Sequence, residues 1–478
     1  MYAPPRDDRR HDHAAPPVAR AWSGNFFSDE GHGETPGRPR DPYVQSRATP
    51  TTPRSTHTRR ADTPAVASAA PVSVSVSAPV SVSAPVPVSL SVSAPRYAYF
   101  DNAASTTVTP EVMRAMIPFF TEIFANPEAN HRAGKDARDQ LEGHRESIAR
   151  ALHVTSSEIY FTSGASESIN AFIRGVAQSN CHRHRRKLVT SAIEHKAVSA
   201  TCLDMEKEGY EVVQVPVSAA GLVDLDALFE AVDDNTLLVC VIMANNELGV
   251  IQPMAEIAAI AHSVGALLFS DTTQIAGKLH VFPRDLGIDA LSISGHKIHG
   301  PKGVGALYMS SSIECAPIIT GGHQERGQRA GTSNTPGVAG LATAIAHNLS
   351  AAGQQKQREV REKRDWIEEQ LTHANPYTRV HSRGVPRLNN VSSVSIFTAR
   401  GEPLDKADIM NYMNNRGVIV STGSACNAGS DTSDVLNALR LSADAQRCTI
   451  RISLSALTTW DECELLVTVI TEMMRDHK

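Results

Sequence analysis

Short apolar runs alternate with longer amphipathic segments along the chain from Tyr97 onward. Each run predicts a buried strand, because it is short, apolar and bounded by polar segments. The six runs are "EIYFTS" (158–163), "RKLVTS" (186–191), "YEVVQVPV" (210–217), "TLLVCVIM" (236–243), "ALLFSD" (266–271) and "ALSIS" (290–294). Strands that alternate with helices predict an α/β fold, in which helices flank both faces of a mostly parallel sheet.

The amphipathic segments have apolar residues at helical spacing and predict the flanking helices. Examples are "SESINAFIRGVAQ" (166–178) and "MAEIAAIAHSVG" (254–265). After about residue 350 a long charged helix, "QQKQREVREKRDWIEEQLTHA", introduces a smaller α+β lobe. We therefore expect a large domain over 97–350 and a small C-terminal domain over 351–478, with residues 97–111 packing against the small one.

The first 96 residues have a different composition from the rest of the chain. Residues 1–70 show no helical or strand period, and 71–95 are a Ser/Val/Ala/Pro tract whose prolines remove strand hydrogen-bond donors. We predict a disordered low-complexity extension. A targeting peptide is the alternative, but eight acidic residues accompany eleven arginines, and no apolar signal segment follows Met1.

Charge and cysteine content exclude several classes of protein. The net charge of −5 does not favour nucleic-acid or membrane-surface binding, and no apolar run is long enough to span a membrane. The seven cysteines are scattered and lack CxxC spacing. That pattern indicates a reducing compartment, for which we expect the cytoplasm, without a disulfide framework or a metal site.

Polar clusters follow four of the predicted strands. They are "TSGASES", "NNELG", "SDTTQ" and "SISGHK". In open α/β sheets ligands bind at the carboxyl ends of the strands. Four clusters in such positions predict one site at one edge of the sheet.

Three of these clusters contain the chemical groups that pyridoxal phosphate (PLP) requires. Lys297, in "SGHK", would hold a carbonyl cofactor as a Schiff base. Asp271 ends an apolar strand, where a carboxylate needs a cation such as a protonated pyridine nitrogen. The backbone N–H groups of Ala165 and Ser166 begin a helix and would cradle a phosphate. Taken singly, each feature also fits a solvated lysine, an N-cap aspartate or a serine cap.

Neighbouring residues extend the predicted cofactor site. Ser294 and His296 are further phosphate donors, and Gln274 is placed to hydrogen-bond a ring hydroxyl. His195, in "SAIEHKAV", would stack on the cofactor and assist proton transfer. A structural histidine is the alternative for His195.

Two residues nearer the C-terminus suggest roles toward the substrate. Cys426 lies among small polar residues in "STGSACNAGSDTS" (421–433), where a thiol is a candidate nucleophile. An incidental surface cysteine is the alternative. Arg451 lies in the strand-like run "IRISLSALTT" (450–459), where a guanidinium suits bidentate capture of a carboxylate. A structural ion pair would also explain Arg451.

From about Tyr97 to the C-terminus the chain resembles the PLP-dependent cysteine desulfurases, of the IscS/NifS-like class in the class-V aminotransferase superfamily. The motifs that carry the resemblance are "DNAASTTVTP", "FTSGASESIN", "EHKAV", "NNELGV", "DTTQ", "SGHKIHGPKGVGALY", "GGHQERGQRAGT", "STGSAC" and "IRISL". The resemblance implies PLP fold type I with a seven-stranded sheet and a homodimer. It also implies a sulfurtransferase reaction that converts L-cysteine to L-alanine and enzyme-bound sulfane sulfur.

The resemblance assigns roles to individual residues. Lys297 matches the Schiff-base lysine, Cys426 the persulfide-forming cysteine and Arg451 the substrate-carboxylate arginine. The matches to cofactor contacts are His195 stacked on the ring, Asp271, Gln274 and Asn246 at the ring's edge, Ala165, Ser166, Ser294 and His296 at the phosphate, and Thr332, which matches a phosphate contact given to the partner subunit.

The resemblance leaves the sulfur acceptor open. An iron–sulfur scaffold or a thiolation protein would receive the sulfur, for iron–sulfur cluster assembly, tRNA thiolation or DNA phosphorothioation, and transient ligation of an iron–sulfur cluster by Cys426 is compatible with this role. A selenocysteine lyase or a cysteine/cystine β-lyase-like enzyme is an alternative in which Cys426 is dispensable. A second alternative is a non-catalytic scaffold. The presence of Lys297, Asp271 and Cys426 together argues against it.

Overall fold

The computed structural model describes residues 97–179, 181, 183–423 and 433–476. The predicted extension, residues 1–96, and the predicted nucleophile Cys426 lie outside the described residues. No helix in these described ranges is long and apolar enough to cross a membrane.

The strands of the described chain are numbered in sequence order. They are β1 (Ala98–Tyr99), β2 (Ile159–Thr162), β3 (Lys187–Ser191), β4 (Glu211–Val215), β5 (Thr236–Cys240), β6 (Leu267–Asp271), β7 (Ala290–Ser294), β8 (Gly305–Met309), β9 (Arg379–Val380), β10 (Val391–Ser395), β11 (Val418–Ile419) and β12 (Thr449–Ser453).

The α-helices are numbered in the same way. They are α1 (Pro110–Met116), α2 (Pro118–Thr121), α3 (Arg132–Ala151), α4 (Ala165–Gln178), α5 (Lys196–Lys207), α6 (Leu225–Ala231), α7 (Met254–Ser263), α8 (Thr335–Leu349), α9 (Ala351–Ala374), α10 (Lys406–Asn415), α11 (Asp434–Ala438), α12 (Ala443–Arg447) and α13 (Trp460–Asp476). Short 3-10 turns occupy Ser156–Glu158, Gly295–Lys297 and Gln324–Gly327. The three predicted helices are α4, α7 and α9.

Strands β2 to β8 form one sheet in the spatial order β2-β8-β7-β6-β5-β3-β4. Strands β3 to β7 pair in parallel throughout. Only β8 is antiparallel to its neighbours in this sheet, β2 and β7. The six predicted strands and the mostly parallel seven-stranded sheet are therefore confirmed.

The inner strands are buried on both faces, which explains their continuous apolar sequence. Successive side chains of a strand point to opposite faces of the sheet. Leu188 and Phe269 accordingly pack with helices α4 and α5, whereas their neighbours Val189 and Leu268 pack with α3, α7 and α8. A strictly alternating pattern would have left one face of these strands in water.

A second sheet lies in the C-terminal part of the chain. Its antiparallel strands have the order β12-β10-β9. Residues of α9, α10 and α13 form a core with these strands, and Phe100 belongs to the same core. Because β1 also pairs in parallel with β11, the start of the described chain is attached to this C-terminal part.

Candidate active site

The carboxyl ends of four adjacent strands bring together residues that are distant in sequence. His195 follows β3, Asn246 follows β5, Asp271 ends β6 and Lys297 ends the 3-10 turn after β7. These strands are neighbours in the order β7-β6-β5-β3. The structure therefore places these four predicted residues along one edge of the sheet.

Lys297 is held against the segment Asp101–Thr106. Its Nζ donates hydrogen bonds to the carbonyl oxygens of Ala103 (2.7 Å) and Ala104 (2.8 Å). Thr106 fixes this segment, because its Oγ1 donates to the carbonyl oxygen of His296 at 2.9 Å. The two alanines were not predicted as site residues, since carbonyl groups leave no side-chain signal in a sequence.

Asp271 is buried, with 3% of its surface exposed, and only one of its two carboxylate oxygens accepts side-chain hydrogen bonds from described residues. Its Oδ1 accepts from Ser292 Oγ (3.0 Å), from the Thr273 N–H (3.0 Å) and from Thr273 Oγ1 (2.5 Å). Among the described residues all side-chain hydrogen bonds of Asp271 end on this one oxygen, so Oδ2 remains to accept from a cationic donor. Since a turn rather than a helix follows β6, Asp271 is not a helix N-cap. The site suits a protonated pyridine nitrogen.

Gln274 lies beside Lys297, because both side chains donate to the Ala103 carbonyl oxygen. The Gln274 Nε2 contact is 3.0 Å long, and its Oε1 accepts a hydrogen bond of 3.1 Å from Lys278 Nζ. Burial, together with the positive charges of Lys297 and Arg451, lowers the pKa of Lys278 to about 7. Lys278 was not predicted from the sequence.

The predicted phosphate donors meet at the start of α4. Gly164 is the N-cap and has no side chain to accept from the first N–H groups of the helix, which include those of Ala165 and Ser166. A Cβ placed on Gly164 would lie 3.8 Å from Ser294 Oγ, which brings the end of β7 to this helix terminus. The arrangement can cradle a phosphate.

A close backbone approach makes this corner possible. Gly305, in β8, lies against Gly164, and a Cβ on Gly305 would be 2.7 Å from the Gly164 Cα and 2.4 Å from the Ile293 carbonyl oxygen. Any side chain at Gly305 would therefore push β8 away from the helix terminus.

His296 adds a neutral imidazole at the same edge. Burial, followed by the positive charges of Lys297 and Lys302, lowers the pKa of His296 to about 4. Its Nδ1 is 3.3 Å from Ser105 Oγ. A neutral imidazole carries one N–H, which can donate to a phosphate oxygen at neutral pH.

His195 is the N-cap of α5. Its Nδ1 accepts a hydrogen bond of 3.1 Å from the Ala197 N–H, which assigns the proton of the neutral ring to Nε2. The preceding residue, Glu194, is half-buried with its carboxylate Oε2 buried, and burial raises its pKa to about 8. Glu194 Oε1 accepts from the Ile242 N–H at 2.8 Å and also from Ser191 Oγ. His195 thus has a structural hydrogen bond and a defined tautomer.

The turn after β5 is built by Asn245 rather than Asn246. Asn245 Oδ1 accepts from the N–H groups of Glu247 and Leu248, both at 2.9 Å, and its Nδ2 donates to the Ile193 carbonyl oxygen. The side chain of Asn246 takes no part in these bonds, which leaves it suited to the predicted ring contact.

Arg451 lies in β12 and reaches the site from the second sheet. Its Nη2 donates to Asp101 Oδ1 (2.6 Å) and its Nη1 to the Asn246 carbonyl oxygen (3.0 Å). Its Nε is buried and has no hydrogen-bond partner among the described residues. Arg451 therefore forms an ion pair with Asp101, as the structural alternative expected. The same contacts hold its guanidinium next to Asn246, the predicted ring contact.

Thr332 lies on a different segment from these residues. It is exposed, on the segment between the turn Gln324–Gly327 and α8, and no hydrogen bond joins it to another predicted site residue in the described structure. Cys426 is not among the described residues. The other predicted residues lie at the carboxyl ends of neighbouring strands, at the start of α4 or, for Arg451, beside Asn246.

The chain is similar in sequence and fold to known proteins. Residues 98–466 match the Aminotransferase class-V family. Cysteine desulfurase IscS of Methanosarcina thermophila is 38% identical over 380 residues, which cover 79% of this chain and 92% of the relative.

Solved structures show the same similarity. A NifS-like protein has 34% identity and a TM-score of 0.72, with 79% of this chain and 99% of that protein covered. SspA in complex with cysteine has 36% identity and a TM-score of 0.66, with coverage of 76% and 99%.

Proposed function

This chain belongs to the class-V aminotransferase family and is a PLP-dependent cysteine desulfurase of the IscS/NifS-like class. We propose that the residues at the carboxyl edge of the sheet convert L-cysteine to L-alanine. The observation that carries the assignment is the convergence of Lys297 and Gln274 on the Ala103 carbonyl, next to the one-sided hydrogen bonding of Asp271. The fold is that of PLP fold type I.

The residues present fit the cofactor. Lys297 would supply the amine that attaches to PLP, and Asp271 Oδ2 would accept from its ring nitrogen. Gln274 Nε2 would donate to its ring hydroxyl, and Asn246 would be a further ring contact. The ends of α4 and β7 would hold its phosphate through Ala165, Ser166, Ser294 and His296. When bound, PLP withdraws electrons from the substrate Cα.

The same residues orient the substrate and move its protons. Arg451 holds the substrate carboxylate through charge-assisted hydrogen bonds, with Asp101 keeping the guanidinium in place. His195 would stack on the cofactor, with a transferable proton at Nε2. Lys297 Nζ would take the Cα proton of the substrate and return a proton to carbon.

Cys426 performs the sulfur transfer in this proposal. Its thiolate attacks the substrate sulfur, so that an S–S bond forms as the Cβ–S bond breaks. The bonding electrons remain on carbon, which is protonated to give L-alanine, and Cys426 retains the sulfur as a persulfide. The substrate assignment is supported by the similarity to SspA, which has been solved in complex with cysteine.

We further propose a homodimer, in which Thr332 contacts the phosphate in the partner subunit. Its exposed position and the exposed side chains of Phe120 (62%) and Phe124 (72%) support this arrangement. Residues 97–350 and 351–478 would form the cofactor-binding and smaller domains. Sedimentation velocity tests the assembly, and a monomer at micromolar concentration would exclude it.

A sulfur acceptor would receive the persulfide sulfur. The similarity to a cysteine desulfurase IscS supports an iron–sulfur scaffold or a thiolation protein in this role.

Intact-protein mass spectrometry tests the mechanism. The chain is incubated briefly with L-cysteine without reductant, and its peptides are mapped. We expect one added sulfur on Cys426 with formation of alanine, and neither in Lys297→Ala. A Cys426→Ser protein that transfers sulfur to an acceptor at the full rate would exclude the nucleophile role. Sulfide released at an unchanged rate by that variant would indicate a lyase.

A further inference from the structure

Lys278 is a buried lysine to which the proposed chemistry gives no task. It follows β6 and is 6% exposed. Its side chain borders a cleft of about 280 Å³ that Lys297, His299 and Asn348 also line. Lys278 and Lys297 therefore border the same cleft.

The charge of Lys278 is poorly compensated. No carboxylate lies within ion-pairing distance of its Nζ in the described ranges, and its side-chain hydrogen bond there goes to Gln274 Oε1 at 3.1 Å. Burying an ammonium group without an anionic partner is unfavourable for folding. The low pKa of about 7 reflects that environment. Any functional effect of Lys278 is therefore expected to act through its hydrogen bond to Gln274.

Two neighbours impose the same orientation on the Gln274 amide. A protonated lysine can only donate, so it selects the amide oxygen, and a carbonyl can only accept, so Ala103 selects the amide nitrogen. The Nε2 group carries two N–H bonds, of which Ala103 takes one. The second N–H is left for another acceptor at the site.

We propose that Lys278 is a positioning residue that orients Gln274 so that its free N–H donates to the ring hydroxyl oxygen of PLP. This inference rests on the proposed contact between Gln274 and the cofactor. Lys278 enforces this orientation in its protonated form, because a neutral amine can also accept a hydrogen bond. Without it, only the Ala103 carbonyl holds the amide, so Gln274 turns its Oε1 more readily toward the cofactor oxygen, where two acceptors repel.

Lys278→Met in the full chain tests the proposal through cofactor binding. We expect the dissociation constant of PLP to rise about 10-fold, or about 1.4 kcal/mol. The pH midpoint of the visible absorption band of bound PLP should shift by about one unit. Lys278→Arg keeps a donor, and the adjoining cleft gives it room, so both values should return toward those of the unmodified chain.

The matched control is Lys363→Met. Lys363 is also a buried lysine, and its Nζ donates to the Thr458 carbonyl oxygen at 2.8 Å in the C-terminal part. This variant should leave the PLP dissociation constant and the absorption midpoint unchanged. If Lys278→Met fails to fold by far-UV circular dichroism, Lys278→Ala replaces it.

A double-mutant cycle with Gln274→Leu identifies the route of the effect. If Lys278 acts through Gln274, Lys278→Met should raise the dissociation constant of PLP by less than about two-fold in the Gln274→Leu background. A full 10-fold rise of the dissociation constant in that background would overturn the inference. So would a Lys278→Met protein in which the PLP dissociation constant and the pH midpoint of the absorption band are unchanged. Neither result affects the proposed function, whose failure would instead show as an unmodified chain that binds PLP but forms no alanine.

Discussion

The contact of Asp271 with the cofactor ring can be tested by a substitution that removes its charge alone. In Asp271→Asn the amide oxygen can still accept from Ser292 and Thr273, because those hydrogen bonds all end on one oxygen. The amide nitrogen then replaces Oδ2. An N–H donor faces the ring nitrogen in place of an acceptor, and the protonated form of the ring loses its partner.

The size of the effect follows from the charge that is lost. An ionised carboxylate beside a cationic group raises the pKa of that group by about one to three units. Each unit is worth about 1.36 kcal/mol. We therefore expect kcat for alanine formation to fall by about 10- to 1,000-fold at saturating PLP. Ser292→Ala, which removes one hydrogen bond of about 1 kcal/mol, should lower kcat by less than about 10-fold.

The assay measures alanine formation from L-cysteine in the presence of reductant, with the absorbance of bound PLP recorded in parallel. Far-UV circular dichroism establishes that each variant is folded. An Asp271→Asn protein that binds PLP and keeps kcat within about two-fold of the unmodified chain would exclude the proposed contact. A loss of activity as large in Ser292→Ala would also refute it, because the charge would then not be the cause.

Three further predictions concern other residues of the chain. Arg451→Lys keeps the charge but loses the bidentate geometry, so kcat/KM for L-cysteine should fall about 10- to 100-fold, mainly through KM, in the alanine assay. Glu194 keeps its proton in the folded state up to a pKa of about 8, whereas the unfolded chain releases it near 4.5. Stability should therefore decline between these pH values, and Glu194→Gln should weaken that decline in thermal unfolding at pH 6 and 8. Arg145→Met leaves Glu325 buried without its partner, and urea unfolding should show a loss of about 3–5 kcal/mol that Glu325→Leu partly restores.

The local sequence was informative wherever a residue's role depends on its neighbours in the chain. Continuous apolar runs predicted the inner strands, because burial on both faces removes the need for alternation. Their polar endings predicted the position of Asp271 and Lys297, since the ends of parallel strands meet at one edge. The strand Gly305–Met309 was not identified individually from its apolar pattern.

Other features depend on contacts between distant parts of the chain. The Ala103 carbonyl receives Lys297 only because β1 and the segment after it are attached to the C-terminal part. Glu325, in an exposed-looking Gly-rich motif, is buried against Arg145, 180 residues away in the chain. No local pattern distinguishes such residues from solvated ones.

What the sequence by itself determined is the α/β fold, the strands that carry the site and the chemical groups that they present. The tertiary structure decided which oxygen of Asp271 is left for a donor, which way the Gln274 amide faces and what holds Arg451. The physical reason is that residue type determines the available donors and acceptors, whereas hydrogen-bond direction and burial depend on groups brought together only by folding.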